Sequence, residues 1–267
     1  MTHEPVPDTW EQGRAYERYI GRWSREVAPP FLEWLSVPPG QRWLDVGCGT
    51  GALCAAILEH STPASVDGAE PSVGFLETAV DQLGSRVDFH RADAAALPLD
   101  DASFDAVVAG LVLNFIPDLD AALAEMSRVT DEGGVVAAYV WDYAGRMELI
   151  RWFWDVACEL DPAAEALDEA VRFPGCTPEA LSSRFANSGF LDVETTAIEV
   201  PTRFRDFDDY WSPFLGGQGP APAYAMSLEE SAREHVRATL QERIPTQPDG
   251  SIELVARAWA VQGIAAR

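Results

Sequence analysis

The chain has 267 residues, 47% hydrophobic and 23% charged, the composition of a globular protein with ample material for a core. All 19 of its basic residues are arginine and they face 43 acidic ones, for a formal net charge of −24. An excess of that size repels phosphodiester backbones and anionic surfaces, so neither a nucleic-acid nor a membrane partner is expected.

No apolar run approaches the ~18 residues of a membrane span. The opening MTHEPVPDTWEQGR lacks the charged-then-apolar layout of a secretory leader. A soluble, cytoplasmic protein is the expectation. The four cysteines, Cys48, Cys54, Cys158 and Cys176, form no CxxC pair and have no histidine at zinc-ligand spacing. Free thiols and no metal site follow.

Taken in chain order, residues 9–36 read as helical from aromatic and aliphatic residues at three- to four-residue steps. Gly21 and the Pro29-Pro30 pair are expected to break that helix. A regular alternation then begins: strand 42–46, a glycine-rich turn, and a helix to about His60. Strand 64–69 is followed by a helix to about Leu83, then strand 86–90 and the continuous apolar strand 104–109. A helix over about 119–129 leads into strand 135–140. Strand–helix alternation with short links predicts an α/β fold, a doubly wound and mainly parallel sheet.

The second half is less regular. Helices are expected at 146–160 and 178–188, and strands at 191–200 and 251–263. An aromatic stripe at helical steps runs over 203–215, a hinge-like loop GGQGPAP spans 216–222, and a polar helix covers 227–243.

The sharpest signal is LDVGCGTG, 44–51, between a strand and a helix. Gly47, Gly49 and Gly51, with Cys48 among them, let the backbone turn tightly and let a ligand approach without meeting a Cβ. A phosphate-binding P-loop needs a lysine, and the chain has none. A dinucleotide fingerprint needs GxGxxG, and here Ala52 stands at its third position. That keeps a nicotinamide oxidoreductase as a remote alternative, but Asp45 beside the glycines would repel a pyrophosphate.

A ligand carrying an ammonium and a sulfonium, such as S-adenosylmethionine, suits that carboxylate instead. Glu70, 19 residues after Gly51 in Glu70-Pro71-Ser72, stands where an acid grips ribose hydroxyls. Asp93, at the end of the third strand, could accept the exocyclic amine of adenine, with the Ala94 amide donating to the ring. Three acids on successive strand ends converge at the carboxyl edge of the sheet.

These motifs resemble class I S-adenosylmethionine-dependent methyltransferases, in particular the small-molecule branch of ubiquinone/menaquinone-type enzymes. LDVGCGTG, VDGAEPS, RADAAALPL, FDAVVAGLVLNFIPD and EMSRVTDEGGVVAAYVWD match that family over 42–142. The resemblance implies a seven-stranded sheet of order 3-2-1-4-5-7-6 with its last strand antiparallel and with helical lid elements. It implies an N-terminal helical lid at 1–40 and a main domain at 41–267, with a helical acceptor-side insertion at about 201–250.

It also implies S-adenosylmethionine as cofactor and S-adenosylhomocysteine as product. Asp45 and Gly47 would lie near the ammonium, Glu70 at the ribose, Asp93 and Ala94 at the adenine, and Leu111 beside the methionine portion. Tyr16, Tyr19 and Arg22, in AYERYIGRWS, are candidates to close over the methionine carboxylate.

Many relatives carry histidine where this chain has Asn114, and an asparagine cannot act as a base, so Asn114 is a candidate for binding the acceptor rather than for catalysis. No catalytic base is assigned. Methyl transfer by proximity and orientation needs none, because a sulfonium is a strong leaving group. The acceptor wall is expected to be aromatic: Trp141 and Tyr143 follow the fifth strand, Trp152 heads three consecutive aromatics on a helix, and Trp211 lies in the 203–215 stripe. A small, apolar or aromatic acceptor methylated on O, N or C is the expectation. A non-catalytic binder of the same cofactor is the chief alternative.

Overall fold

The computed structural model describes residues 21–217 and 219–266, with the side chain of Arg22 not among them. Tyr16 and Tyr19 therefore lie outside the described residues, and of Arg22 only the backbone, opening the first helix, is placed.

The elements follow in order: α1 Arg22–Leu35, β1 Arg42–Val46, α2 Ala52–His60, β2 Ser65–Ala69, α3 Val73–Leu83, β3 Asp88–His90, β4 Phe104–Gly110, α4 Leu119–Val129 and β5 Thr130–Trp141. The second half contributes α5 Glu148–Leu160, α6 Glu169–Arg172, α7 Pro178–Asn187, β6 Leu191–Phe204, α8 Phe207–Trp211, α9 Pro220–Ser227, α10 Glu230–Arg243 and β7 Ile252–Ile264.

One seven-stranded sheet has the order β3-β2-β1-β4-β5-β7-β6. The pairs β1–β2, β1–β4, β2–β3 and β4–β5 are parallel, and β7 runs antiparallel to β5. The expected order is borne out. Central β4 is buried from Ala106 to Ala109, which is why its sequence is a continuous apolar run rather than an alternation.

Two compact units divide the chain. The sheet unit holds Ser24–Trp141, Gly175–Ile198 and the chain from Ala258. The second unit holds Asp142–Pro174 and Glu199–Arg257, with the described residues up to Trp23. The second unit has its own aromatic core. Phe153 stacks on Phe214 at 4.6 Å, and the Tyr210 hydroxyl donates to the Leu149 carbonyl at 3.0 Å. The Trp154 indole N–H donates to Glu169, whose carboxyl burial pushes up to about 7. Asp142 accepts from the amides of Gly145 and Arg146 and from the Arg257 guanidinium, closing the turn after β5.

Three local expectations need correction. Pro29 and Pro30 do not break α1 but sit inside it. An interior proline costs about 3 kcal/mol, here offset by burial of Val27, Ala28, Phe31, Leu32 and Leu35 along one face. The carbonyls that lose their N–H partners belong to Arg25 and Glu26, whose side chains are on the exposed side.

The 203–215 stripe is not one helix. Phe204 ends β6, Asp206 caps α8 by accepting from the Asp209 amide, and Pro213 begins a 3-10 turn over Ser212–Gly216. The loop expected at 216–222 is shorter, because Pro220 occupies the first turn of α9, where a missing N–H costs nothing.

Candidate cofactor site

The glycine loop is built by backbone geometry. Gly47, Gly49 and Gly51 have φ of +73°, +54° and +86°, the left-handed region that favours glycine. The amides of Gly47 and Cys48 both donate to the Ala69 carbonyl, at 2.8 and 3.0 Å, tying the loop to the end of β2. A Cβ on Gly47 would stand 2.7 and 2.9 Å from the Val112 methyls, whereas one on Gly49 would meet nothing within 4 Å. The first glycine is demanded by packing inside the protein and the second faces open space.

Glu70 is buried and organises this loop. Its Oε2 accepts from the Gly49 amide at 3.0 Å and its Oε1 from the Ser72 amide at 2.9 Å. Burial pushes its carboxyl above the usual carboxylate range, and the Ser72 and Gly49 amides pull it back. Ser72 caps α3 by accepting from Phe75, which leaves the exposed Pro71 at the turn.

Asp45 is not an open charge above the glycines, as the sequence suggests. It is 1% exposed, beneath the loop. Its Oδ2 accepts from the Cys54 thiol at 3.3 Å, and its Oδ1 has no hydrogen-bond partner. Burial pushes its carboxyl up to about 7; the Cys54 hydrogen bond opposes that and the charge of Glu70 adds to it. The Cys54 thiol sits well above its ordinary value through its hydrogen bond with Cys48, burial and the field of Asp45, so it stays a donor. All four cysteines are free.

A pH dependence follows. A carboxyl ordinarily near 3.9 holds its proton in the folded state up to about 7. Between those values the folded state binds more protons than the unfolded one, so stability fully present below ~4 declines as pH rises and is lost through ~7. The thermal midpoint of the ligand-free protein should fall between about pH 5.5 and about pH 8, and Asp45→Asn should flatten that fall. Glu169, raised in the same direction, supplies the slope that persists.

At the end of β3, Asp93 is exposed. Its Oδ1 accepts from the Ala95 amide at 2.9 Å, a turn rather than a helix cap, with half-buried Ala94 inside it. After β4, Leu111 holds φ of +61° and donates its amide to the Tyr139 carbonyl at 2.8 Å. A non-glycine residue in that conformation is strained, and such strain gathers at functional sites. Val112 abuts Gly47, and Asn114 sits in the 3-10 turn Leu113–Phe115.

The structure thus brings Asp45, Gly47, Cys48, Gly49, Gly51, Glu70, Asp93, Ala94, Leu111 and Asn114 to the carboxyl ends of β1 to β4, and Trp141 closes β5. The other aromatic candidates belong to the second unit. There Tyr143 is buried with its ring 5.4 Å from Phe173, Trp211 is buried beside Phe214, and Trp152 is half-buried on α5. Sequence reading missed Cys54, the Ser72 amide and Val112. Only Ser72 carried a signal, as a capping residue just past an acid.

Among the described residues, no group of three or more His, Cys, Asp or Glu side chains could hold a metal ion, and no helix is long and apolar enough to cross a membrane. A doubly wound sheet of this order, with a glycine turn over one buried acid and a second acid at the next strand end, defines a Rossmann-like fold with a candidate cofactor site at the carboxyl edge of its sheet. Its loop holds neither a lysine nor the third glycine of the phosphate-binding fingerprints.

Comparison with known proteins agrees. A methyltransferase domain model matches residues 44–138. The chain is 29% identical over 197 residues to the demethylmenaquinone methyltransferase of Geobacillus kaustophilus, covering 67% of this chain and 81% of that one. It is 44% identical over 112 residues to the methyltransferase GfsG of Streptomyces halstedii, covering 40% of each. The chain thus spans about two-fifths of the length of the curated relatives it matches over that shorter stretch. The YcgJ protein from Bacillus subtilis shares the fold, with a TM-score of 0.56 at 18% identity over 91% of this chain and 99% of that one. The chain is thus similar to class I S-adenosylmethionine-dependent methyltransferases, with the domain match confined to residues 44–138.

Proposed function

We propose that the protein transfers the methyl group of S-adenosylmethionine to an O, N or C atom of a small molecule, by proximity and orientation. The observation that carries this reading is the unpartnered, buried Oδ1 of Asp45 beneath the glycine loop. A buried carboxylate without a cation is costly, and a positively charged ligand is the chemistry that relieves it.

The residues present fit such a ligand. Gly49 leaves room above the loop, and below it lies a buried carboxyl whose ionised form a cation would favour. Glu70 would hold the ribose hydroxyls with the oxygen lone pairs that the Gly49 and Ser72 amides leave over. Asp93 and the Ala94 amide would hold the adenine, and Leu111 would flank the methionine portion. When bound, S-adenosylmethionine supplies a methyl carbon on a cationic sulfur. The chain's own part is to orient it, and Trp141 is the acceptor-side wall that β5 provides.

Calorimetry with S-adenosylhomocysteine and S-adenosylmethionine tests the cofactor reading, and binding at micromolar concentration is expected. No binding by either, or a thermal shift with NAD(H) instead, would end it. Labelled methyl transfer to any metabolite in a mixed pool separates an enzyme from a silent binder.

A further inference from the structure

Of the seven buried polar side-chain atoms without a hydrogen-bond partner among the described residues, four lie at or just past the carboxyl ends of neighbouring strands. They are Asp45 Oδ1 on β1, Nδ2 and Oδ1 of Asn114 just after β4, and Nε1 of Trp141 closing β5. These are three adjacent strands. The pairings Asp45↔Val108 and Val108↔Ala137 put Asp45 and Ala137 on one face of the sheet, and the period of two places Trp141 on that face as well. Cofactor binding answers for Asp45. It does not answer for Asn114 or Trp141.

A buried carboxamide with neither atom paired is a liability that an apolar side chain of the same size would remove. The loop that carries Asn114 is held in place on three sides. Leu111 is strained into the left-handed region, its amide is bound to Tyr139, and Val112 is wedged against Gly47. An amide kept unpaired on a fixed turn, next to the cofactor loop, is arranged for a ligand that brings both a donor and an acceptor.

We propose that Asn114, aided by the Trp141 indole N–H, grips the methyl acceptor, and that this acceptor is a neutral molecule whose reactive hydroxyl or amine is flanked by a hydrogen-bond-accepting oxygen. The proposal rests on the methyl-transfer reading above. Asn114 Oδ1 accepts from the reactive O–H or N–H and aims its lone pair. Asn114 Nδ2 and Trp141 Nε1 donate to the flanking oxygen. In the transfer, the acceptor's lone pair forms the new bond to the methyl carbon, the carbon–sulfur bond breaks with its electrons left on sulfur, and the acceptor's proton leaves to water. Asn114 takes no proton; it is a positioning residue. Neutrality follows from the surroundings: the carboxyls of Asp45 and Glu70 on the neighbouring strand ends disfavour an anion, the sulfonium of bound S-adenosylmethionine disfavours a cation, and the gripping groups are uncharged.

The test uses protein loaded with S-adenosylhomocysteine and three probes in calorimetry: salicylamide, whose phenol is flanked by a neutral carbonyl; salicylate, its anionic counterpart; and phenol, which lacks the flanking oxygen. Salicylamide should bind about ten-fold tighter than either, and Asn114→Leu should abolish that preference, a ten-fold change being the size of one net hydrogen bond. Asn114→Leu should also leave affinity for S-adenosylhomocysteine within about two-fold and raise the thermal midpoint of the free protein, since it removes two unpaired atoms. Trp141→Phe should weaken salicylamide alone, by a few-fold.

No salicylamide binding, tighter salicylate binding, a preference that survives Asn114→Leu, or a lowered midpoint in that variant would each overturn the proposal. Failure of S-adenosylhomocysteine to bind the unaltered protein would instead sink the methyl-transfer reading, and the thermal midpoint of Asn114→Leu would still judge the unpaired amide.

Discussion

Glu70→Ala is expected to lower affinity for S-adenosylhomocysteine about 100-fold and to destabilise the protein by about 3 kcal/mol, because two charge-assisted hydrogen bonds at ~1.5–3 kcal/mol each are lost together. Glu70 does two things at once. It would face the ribose, and it also holds the Gly49 and Ser72 amides at 3.0 and 2.9 Å, joining the glycine loop to the start of α3. Glu70→Gln separates these roles. A carboxamide keeps one acceptor but turns an N–H₂ toward one of the two backbone donors, so one contact becomes a repulsion. Thermal denaturation of Glu70→Gln should therefore show most of the loss seen with Glu70→Ala. A Gln variant as stable as the unaltered protein would mean that Glu70 serves the ligand alone.

Gly47→Ala and Gly49→Ala should fail in different ways although they are two residues apart. At Gly47 the new methyl would collide with Val112 at 2.7 and 2.9 Å in a backbone at φ +73°. Left-handed strain of ~1–2 kcal/mol and overpacking of ~1–3 kcal/mol together predict a destabilisation of about 3 kcal/mol. Adding Val112→Ala should return the overpacking part and leave the strain. At Gly49 nothing lies within 4 Å, so only the strain remains, about 1 kcal/mol. The added methyl stands where a ligand would approach, and affinity for S-adenosylhomocysteine should drop about 100-fold, some 2.7 kcal/mol. Unchanged affinity in a folded Gly49→Ala protein would show that the loop is not the cofactor's seat.

What could be read without a structure was whatever repeats or clusters locally. The GxGxG turn with Asp45 before it, Glu70 nineteen residues on and Asp93 at the next strand end are short-range patterns, and so is the strand–helix alternation that led to a doubly wound parallel sheet; the strand order itself came from the family resemblance. Such signals survive because strand period, turn chemistry and motif spacing are properties of neighbouring residues. The glycines needed a positive φ for reasons local to the turn, and the structure gives all three one.

The environment of each group was decided elsewhere. Asp45 turns from an open charge into a buried carboxyl near 7 because α2 folds Cys54 over it, nine residues along the chain. Val112, 65 residues from Gly47, determines why that glycine cannot change. Two prolines stay within α1 because its apolar face is buried from Val27 to Leu35. Asn114 reads in the sequence as an acceptor-side residue that cannot serve as a base, and only the structure shows its amide buried without partners. Sequence alone determined the order of the elements and which residues line the carboxyl edge of the sheet, since those follow from periodicity and spacing. Tertiary structure decided which of these groups are charged, paired or left waiting for a ligand, since desolvation and hydrogen bonding depend on atoms far apart in the chain.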